Sequence, residues 1–286
     1  MSNPFPAYFT IWHKLGAYTL KISAYAVLFF LILPIVVIIP LSFNAEPFFT
    51  FTRGMMTLDP AAYSLRWYDA ILTNPNWVLA IKNSFIVGFF ATILATVLGT
   101  LAAVGLSSQN MPFKRLIMAL LLAPMIVPLI IVAAGMFFFY TQLGLAGNYA
   151  GLVIAHAALG VPFVIITVTA TLTGFDRSLY HAGLSMGASP IKTFFDVVMP
   201  LIRPGVISGA MFAFVTSFDE VVVVLFLAGP GQRTIPRQMF SGLREQINPT
   251  ILAVATVLIL VSVAFLLTLE FLRRRSARLR GLDHAD

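Results

Sequence analysis

Six stretches of the chain are almost wholly apolar: residues 22–43, 84–106, 116–140, 150–174, 204–227 and 250–269. Each is long enough for a helix to cross about 30 Å of hydrocarbon, which takes roughly 20 residues. The runs are continuous rather than alternating, so they do not read as the strands of a membrane barrel. Helices satisfy their own backbone hydrogen bonds, which lipid cannot do. The pattern predicts an all-α integral membrane protein with six transmembrane helices. It is divided as a segment 1–21, a membrane domain 22–272 and a tail 273–286. Residues 44–83 form an external loop and residues 175–203 a second polar interruption. The first apolar run is too long for the core of a cleaved signal peptide and reads as a signal anchor. No repeat of 20–50 residues is visible.

Composition agrees. Of 286 residues, 59% are hydrophobic and 10% charged, against about 25% charged in soluble domains. So few charges cannot cover a globular surface in water. There is no cysteine, which excludes disulfide scaffolds and thiol chemistry. The net charge of +7 could suggest nucleic acid, but no base-reading motif accompanies it. Its distribution is a topology signal instead. Lys14, Lys21, Lys114, Arg115, Arg177, Lys192, Arg203 and the tail arginines 273, 274, 275, 278 and 280 fall on one side. Arg53, Arg66, Lys82, Arg233, Arg237 and Arg244 fall on the other. The positive-inside rule then places both termini in the cytoplasm. The arginine tail suits contact with anionic lipid. Trp67, Tyr68 and Trp77 lie in the stretch 65–79, as expected of a segment at the membrane interface. Pro34, Pro124, Pro128 and Pro162 interrupt the apolar runs and predict kinks, serving either bent packing or hinges.

The interruption between the fourth and fifth runs carries most information. Ser189 before Pro190 is a helix start, with Ser as N-cap and Pro at the first helical position. Ile191, Phe194, Phe195, Val198 and Met199 then form one apolar stripe, which Pro200 is expected to end. Before it, Leu179, Ala182, Gly183 and Met186 form a second stripe, with Gly187 and Ala188 as the joint. This predicts a short helix-turn-helix that lies on the protein's own helices or docks with a cytoplasmic partner.

The segment resembles the Glu-Ala-Ala motif of ATP-binding-cassette importer permeases: Glu-Ala-Ala, three residues, Gly, nine residues, then Ile-x-Leu-Pro. His181-Ala182-Gly183 takes the first block, Gly187 the glycine, and Val197, Met199 and Pro200 the last; Ala188 also fits. His181 for Glu and Gly183 for Ala are departures. The resemblance implies a type I importer (MetI-like) permease fold. It also implies that 179–201 is the coupling element for an ATPase. The stretches 217–221 and 226–236, with Trp67-Tyr68, resemble the spermidine/putrescine branch.

Asp219 and Glu220 fall inside the fifth run, where a charge is costly and faces a cavity or partner. With Thr216 they are spaced to share a helix face and to line a path for a cation; the alternative is a polar contact between helices. His156, in the fourth run, reads as a buried histidine with its hydrogen bonds satisfied. No metal site and no catalytic set are expected. No glycine is followed by lysine, so there is no phosphate-binding loop and the chain itself binds no cofactor.

The resemblance therefore implies a non-catalytic permease subunit in a bacterial inner membrane. Its partners would be two ATP-binding subunits that use ATP and magnesium, a second homologous permease, a periplasmic solute-binding protein and membrane lipid. Nucleic acid is not expected as a partner. The first reading of the solute is a polyamine such as putrescine or spermidine. Alternatives are an opine, 4-aminobutyrate or another amino-acid derivative, a ferric or sugar ligand, or an ion-coupled secondary transporter. A membrane-embedded enzyme would need a clustered acid, base or metal set.

Overall fold

The computed structural model describes residues 10–108, 111–245 and 248–279. Its main helices are α1 (Ile11–Leu41), α2 (Arg66–Thr73), α3 (Pro75–Ser107), α4 (Lys114–Ile126), α5 (Leu129–Gln142), α6 (Tyr149–Thr173), α7 (Arg177–Ser185), α8 (Pro190–Asp219), α9 (Val222–Leu227), α10 (Ile235–Glu245) and α11 (Thr250–Leu279). Among the described residues the only β pairing is an isolated bridge between Asn44 and Tyr63. By length and composition α1, α3, α6 and α8 can each cross a membrane, and α4 with α5 can form a fifth, broken span. The sixth apolar run begins α11 at Thr250 as expected. Its far end, with the basic tail 273–286, lies outside the residues whose side chains are described.

Two expected spans are not single helices. The run 116–140 is split into α4 and α5, bent by 104°. Pro128 lies at the break, and Val127 before it is extended, at φ −71° and ψ 138°. A residue preceding proline is driven out of the helical region by its ring. The run 204–227 stops at Asp219, leaves Glu220 extended at φ −73° and ψ 123°, and resumes as α9.

Pro200, by contrast, does not end the stripe before it. Helix α8 runs through it for 30 residues. It can do so because residues Phe194–Val198 form a π-helical turn in which the Met199 N–H bonds to the Phe194 carbonyl. A wider turn absorbs the donor that Pro200 lacks.

The chain divides into two compact units, residues 74–241 and residues 1–73 with 242–286. In the second of these, α11 packs on α1 and α2, and the segment after α1 is ordered by its own polar groups. The Asn44 side chain is fully buried, donates to the Phe48 and Thr50 carbonyls and accepts from the Glu46 N–H. Trp67 Nε1 donates to the Asn44 carbonyl at 2.7 Å, and Tyr68 and Ser42 share a hydrogen bond of 2.6 Å. Trp67 and Tyr68 thus knit this loop together.

In unit 74–241, α3 starts at Pro75 rather than Ser84, capped by Asn74, and buries Trp77 in its first turns. Helices α3, α6 and α8 pack through small residues. A Cβ on Gly99 would lie 2.6 Å from Val164 Cβ. One on Gly160 would lie 2.9 Å from Ala213 Cβ and 3.2 Å from Ala95 Cβ. Lipid offers no hydrophobic drive between helices, so close backbone approach at small residues supplies the packing. A second cluster joins Tyr140 and Ala133 of α5, Leu152 and Leu159 of α6, and Val223, Val224 and Leu227 of α9.

Candidate functional site

The helix-turn-helix element is built from α7 and the first turns of α8. Asp176 caps α7, accepting from the Ser178 N–H at 2.9 Å. The Ser178 backbone and side-chain hydrogen bonds hold its carboxyl below the usual aspartate range. The helix ends at Gly187, whose φ of +84° is left-handed. The Gly187 N–H bonds to the Leu184 carbonyl and the Ala188 N–H to the Gly183 carbonyl. This is the helix stop that favours glycine, so the motif glycine is needed for geometry. Ser189 then caps α8, accepting from the Lys192 N–H, with Pro190 first in the helix.

Gly183, the departure from Ala, also has a steric reason. It is buried, and a Cβ there would lie 2.7 Å from Thr193 Cγ2. His181 and Ala182 are exposed. The two expected apolar stripes divide rather than pack as wholes. Val198 is buried and Phe194 and Met199 lie against the core, while Ile191, Phe195, Leu179 and Met186 face outward, Met186 at 83% exposure. Val197 is half-buried and Pro200 exposed. One part of the element therefore rests on its own chain and the other presents an uncovered apolar surface. The Arg177 guanidinium donates to the Ser107 carbonyl at the end of α3. It supplies a donor to a helix terminus that has none of its own.

The second site lies at the opposite end of α8. Thr216, Asp219 and Glu220 come together with Leu129, Val215, Val221 and Val222 around an open depression of ≈ 400 Å³. The grouping expected from sequence holds, but the shared helix face does not, because the helix stops between the two acids. Asp219 is exposed and Glu220 is 7% exposed. The Glu220 carboxylate accepts from the Val223 N–H at 2.8 Å and so caps α9. Burial makes such a cap matter more, because an unpaired donor there would have no water. Both acids line the depression, and of the two Asp219 is the exposed one.

The loop beyond α9 is fastened to the N-terminal parts of α3 and α6. Asn83 Nδ2 donates to the Gly231 and Arg233 carbonyls at 2.9 and 2.8 Å. Tyr149 Oη donates to Asn83 Oδ1 at 2.8 Å, and Ser84 Oγ accepts from the Ile235 N–H at 2.8 Å. Sequence reading missed these residues, since scattered polar groups at helix ends carry no pattern. It also missed a signal that was present: Gly205, Gly209, Ala213 and Ser217 recur every four residues along α8. His156 is 1% exposed; its Nδ1 is 2.8 Å from Ser217 Oγ, while its Nε2 is buried with no hydrogen-bond partner. The expectation of a satisfied histidine holds for one nitrogen and fails for the other.

Known proteins share this architecture and sequence. The sequence profile of the family described as binding-protein-dependent transport system inner membrane component matches residues 95–279. The chain is 28% identical over 247 residues to the spermidine/putrescine transport system permease protein PotC of Haemophilus influenzae, covering 86% of this chain and 93% of that one. It is 29% identical over 271 residues to the putrescine transport system permease protein PotI of Escherichia coli strain K12, covering 90% and 92%. Among solved structures, a chain of a bacterial transporter that imports the acidic polysaccharide alginate superposes with a TM-score of 0.71. That match has 15% identity and covers 94% of this chain and 99% of that chain. At that identity the likeness concerns the fold.

Proposed function

The chain belongs to the family of binding-protein-dependent transport system inner membrane components, and we propose that it forms one wall of the path by which an ATP-driven importer carries a polyamine. The relatives named for spermidine and putrescine support the solute class. The observation that carries the reading is the division of labour between the two adjacent acids. Glu220 is engaged as a cap, and Asp219 is exposed at a depression that Thr216 also lines. A carboxylate beside a path attracts a cation more strongly where water is scarce.

In this reading the uncovered apolar surface of α7 and α8 seats in a groove of an ATP-binding subunit, as an amphipathic helix seats in a groove. Two such subunits hydrolyse ATP with magnesium. A second, homologous permease completes the path, and a periplasmic binding protein delivers the solute. Both termini lie in the cytoplasm. This chain carries out no chemistry and holds no cofactor.

The test is uptake of labelled putrescine and spermidine by the complex reconstituted with its ATPase and binding protein. Asp219→Asn is expected to raise KM about tenfold or more, equivalent to about 1.4 kcal/mol, while binding-protein-stimulated ATP hydrolysis persists. Uptake of 4-aminobutyrate in preference to either polyamine would replace the solute, and unchanged KM in Asp219→Asn would remove the path.

A further inference from the structure

Among the described residues only two that are not glycine have a left-handed backbone, Leu58 and Phe113. Both are large apolar residues, and both are more than three-quarters exposed. A bulky side chain is unfavourable in this conformation, which glycine or asparagine usually takes. In water, such an exposed side chain would gain nothing that offsets the cost. The two positions differ in their neighbours. Leu58 is followed by an acid, Asp59, and Phe113 by two bases, Lys114 and Arg115.

Phe113 immediately precedes α4, which with α5 forms the broken span that follows α3. It therefore lies where membrane-crossing segments meet the surface. Phe113, Leu116 and Leu120 are three and four residues apart and all exposed, and that spacing shares a helix face. Helix α4 buries none of its residues against the chain. In a membrane this apolar row meets acyl chains.

Lys114 and Arg115 are exposed beside the row. Neither is joined to a carboxylate among the described residues, and the chain has no acid between Asp69 and Asp176. An apolar ring next to two uncompensated cations matches the layering of a lipid, with acyl chains on one side and an anionic headgroup on the other.

We propose that Phe113, Lys114 and Arg115 form a binding site for an anionic phospholipid. The Phe113 ring enters the acyl region beside Leu116 and Leu120, and the two cationic side chains hold the headgroup phosphate. The site fastens the end of α4 that lies away from the bend at Pro128. It rests on the membrane setting alone and not on which solute is carried.

The chain has no cysteine, so Phe113→Cys gives a single attachment point for an apolar fluorophore. The labelled chain is reconstituted in its full complex into phosphatidylcholine vesicles. These contain an acyl-chain doxyl quencher carried on either phosphatidylcholine or phosphatidylglycerol, at equal mole fraction. Pro112→Cys, also at an exposed position, repeats the measurement with Phe113 intact and covers a Phe113 variant that does not fold.

The fluorophore is expected to be quenched by both lipids, and more by phosphatidylglycerol. A basic side chain near an anionic surface contributes about fivefold, so Lys114→Gln with Arg115→Gln should lower that preference by up to about 25-fold. Quenching by phosphatidylcholine should stay. No acyl-chain quenching at both positions overturns the proposal, as does equal quenching by the two lipids before the bases are removed. A preference for phosphatidylglycerol that survives the double glutamine variant overturns it too. Quenching that occurs in the chain alone and vanishes in the full complex would give the surface to a protein partner and also overturn it.

Discussion

The two ends of α8 contain opposite lessons about breaking a helix. Near its N-terminal end Pro200 sits in the chain, yet the helix passes through it by widening to a π turn at Phe194–Val198. At the C-terminal end no proline is present, yet the helix stops after Asp219. The buried Glu220 carboxylate takes the N–H of Val223 and starts a new helix instead. A missing donor can be absorbed by a local change of pitch. A buried acid that has found its own backbone partner makes a second helix start more favourable than a continued first one. The N-terminal end is thereby made continuous from the helix-turn-helix into the long apolar helix, and the C-terminal end is made a corner that leaves Asp219 exposed.

The largest expected effect bears on that corner. Glu220→Ala removes the cap of α9 and should cost about 2 kcal/mol, the upper end for a helix cap, read as a lower unfolding temperature in detergent. Glu220→Gln keeps an accepting oxygen and should recover most of that loss. Equal melting of the two variants would mean that the carboxylate does not hold the corner. Next in size is the joint at the other end. Gly187 has φ +84° with open space around it, so Gly187→Ala should cost about 1 kcal/mol from backbone conformation alone. It should also weaken coupling between ATP hydrolysis and uptake. A variant with unaltered coupling would show that the turn's geometry is not what the ATPase reads.

The smallest effect concerns Asp176. Its folded carboxyl titrates below the usual aspartate range because of the Ser178 hydrogen bonds. A lowered carboxyl contributes stability above its unfolded value, near about pH 4, and loses it as pH falls through the folded value. Hydrogen exchange at the start of α7 should therefore quicken on acidification through that window. Asp176→Asn, which caps without titrating, should flatten the dependence.

Much of this was visible in the amino-acid order, and for physical reasons. Apolar runs of spanning length cannot be anything but membrane helices in an all-helical chain, and α1, α3 and α6 appear where the runs lie. Ser189-Pro190 starts a helix wherever it occurs, because both residues act locally. Gly187 was placed by its motif, and its left-handed φ explains why. The grouping of Thr216 with Asp219 and Glu220 followed from spacing, though the break between the acids did not. Spacing assumes that a helix continues, and here the buried Glu220 instead accepts from the Val223 N–H beyond the break.

The sequence by itself determined the membrane setting, the helical class, the helix caps and the helix-turn-helix around Gly187, since each depends on neighbours along the chain. The tertiary structure alone decided which acid is buried as a cap and which is exposed, why Gly183 replaces Ala, and how His156 meets Ser217. Those outcomes depend on Val223, Thr193 and a helix 61 residues away. Contacts across that distance are set by how closely two backbones approach, and no local pattern of side chains encodes it.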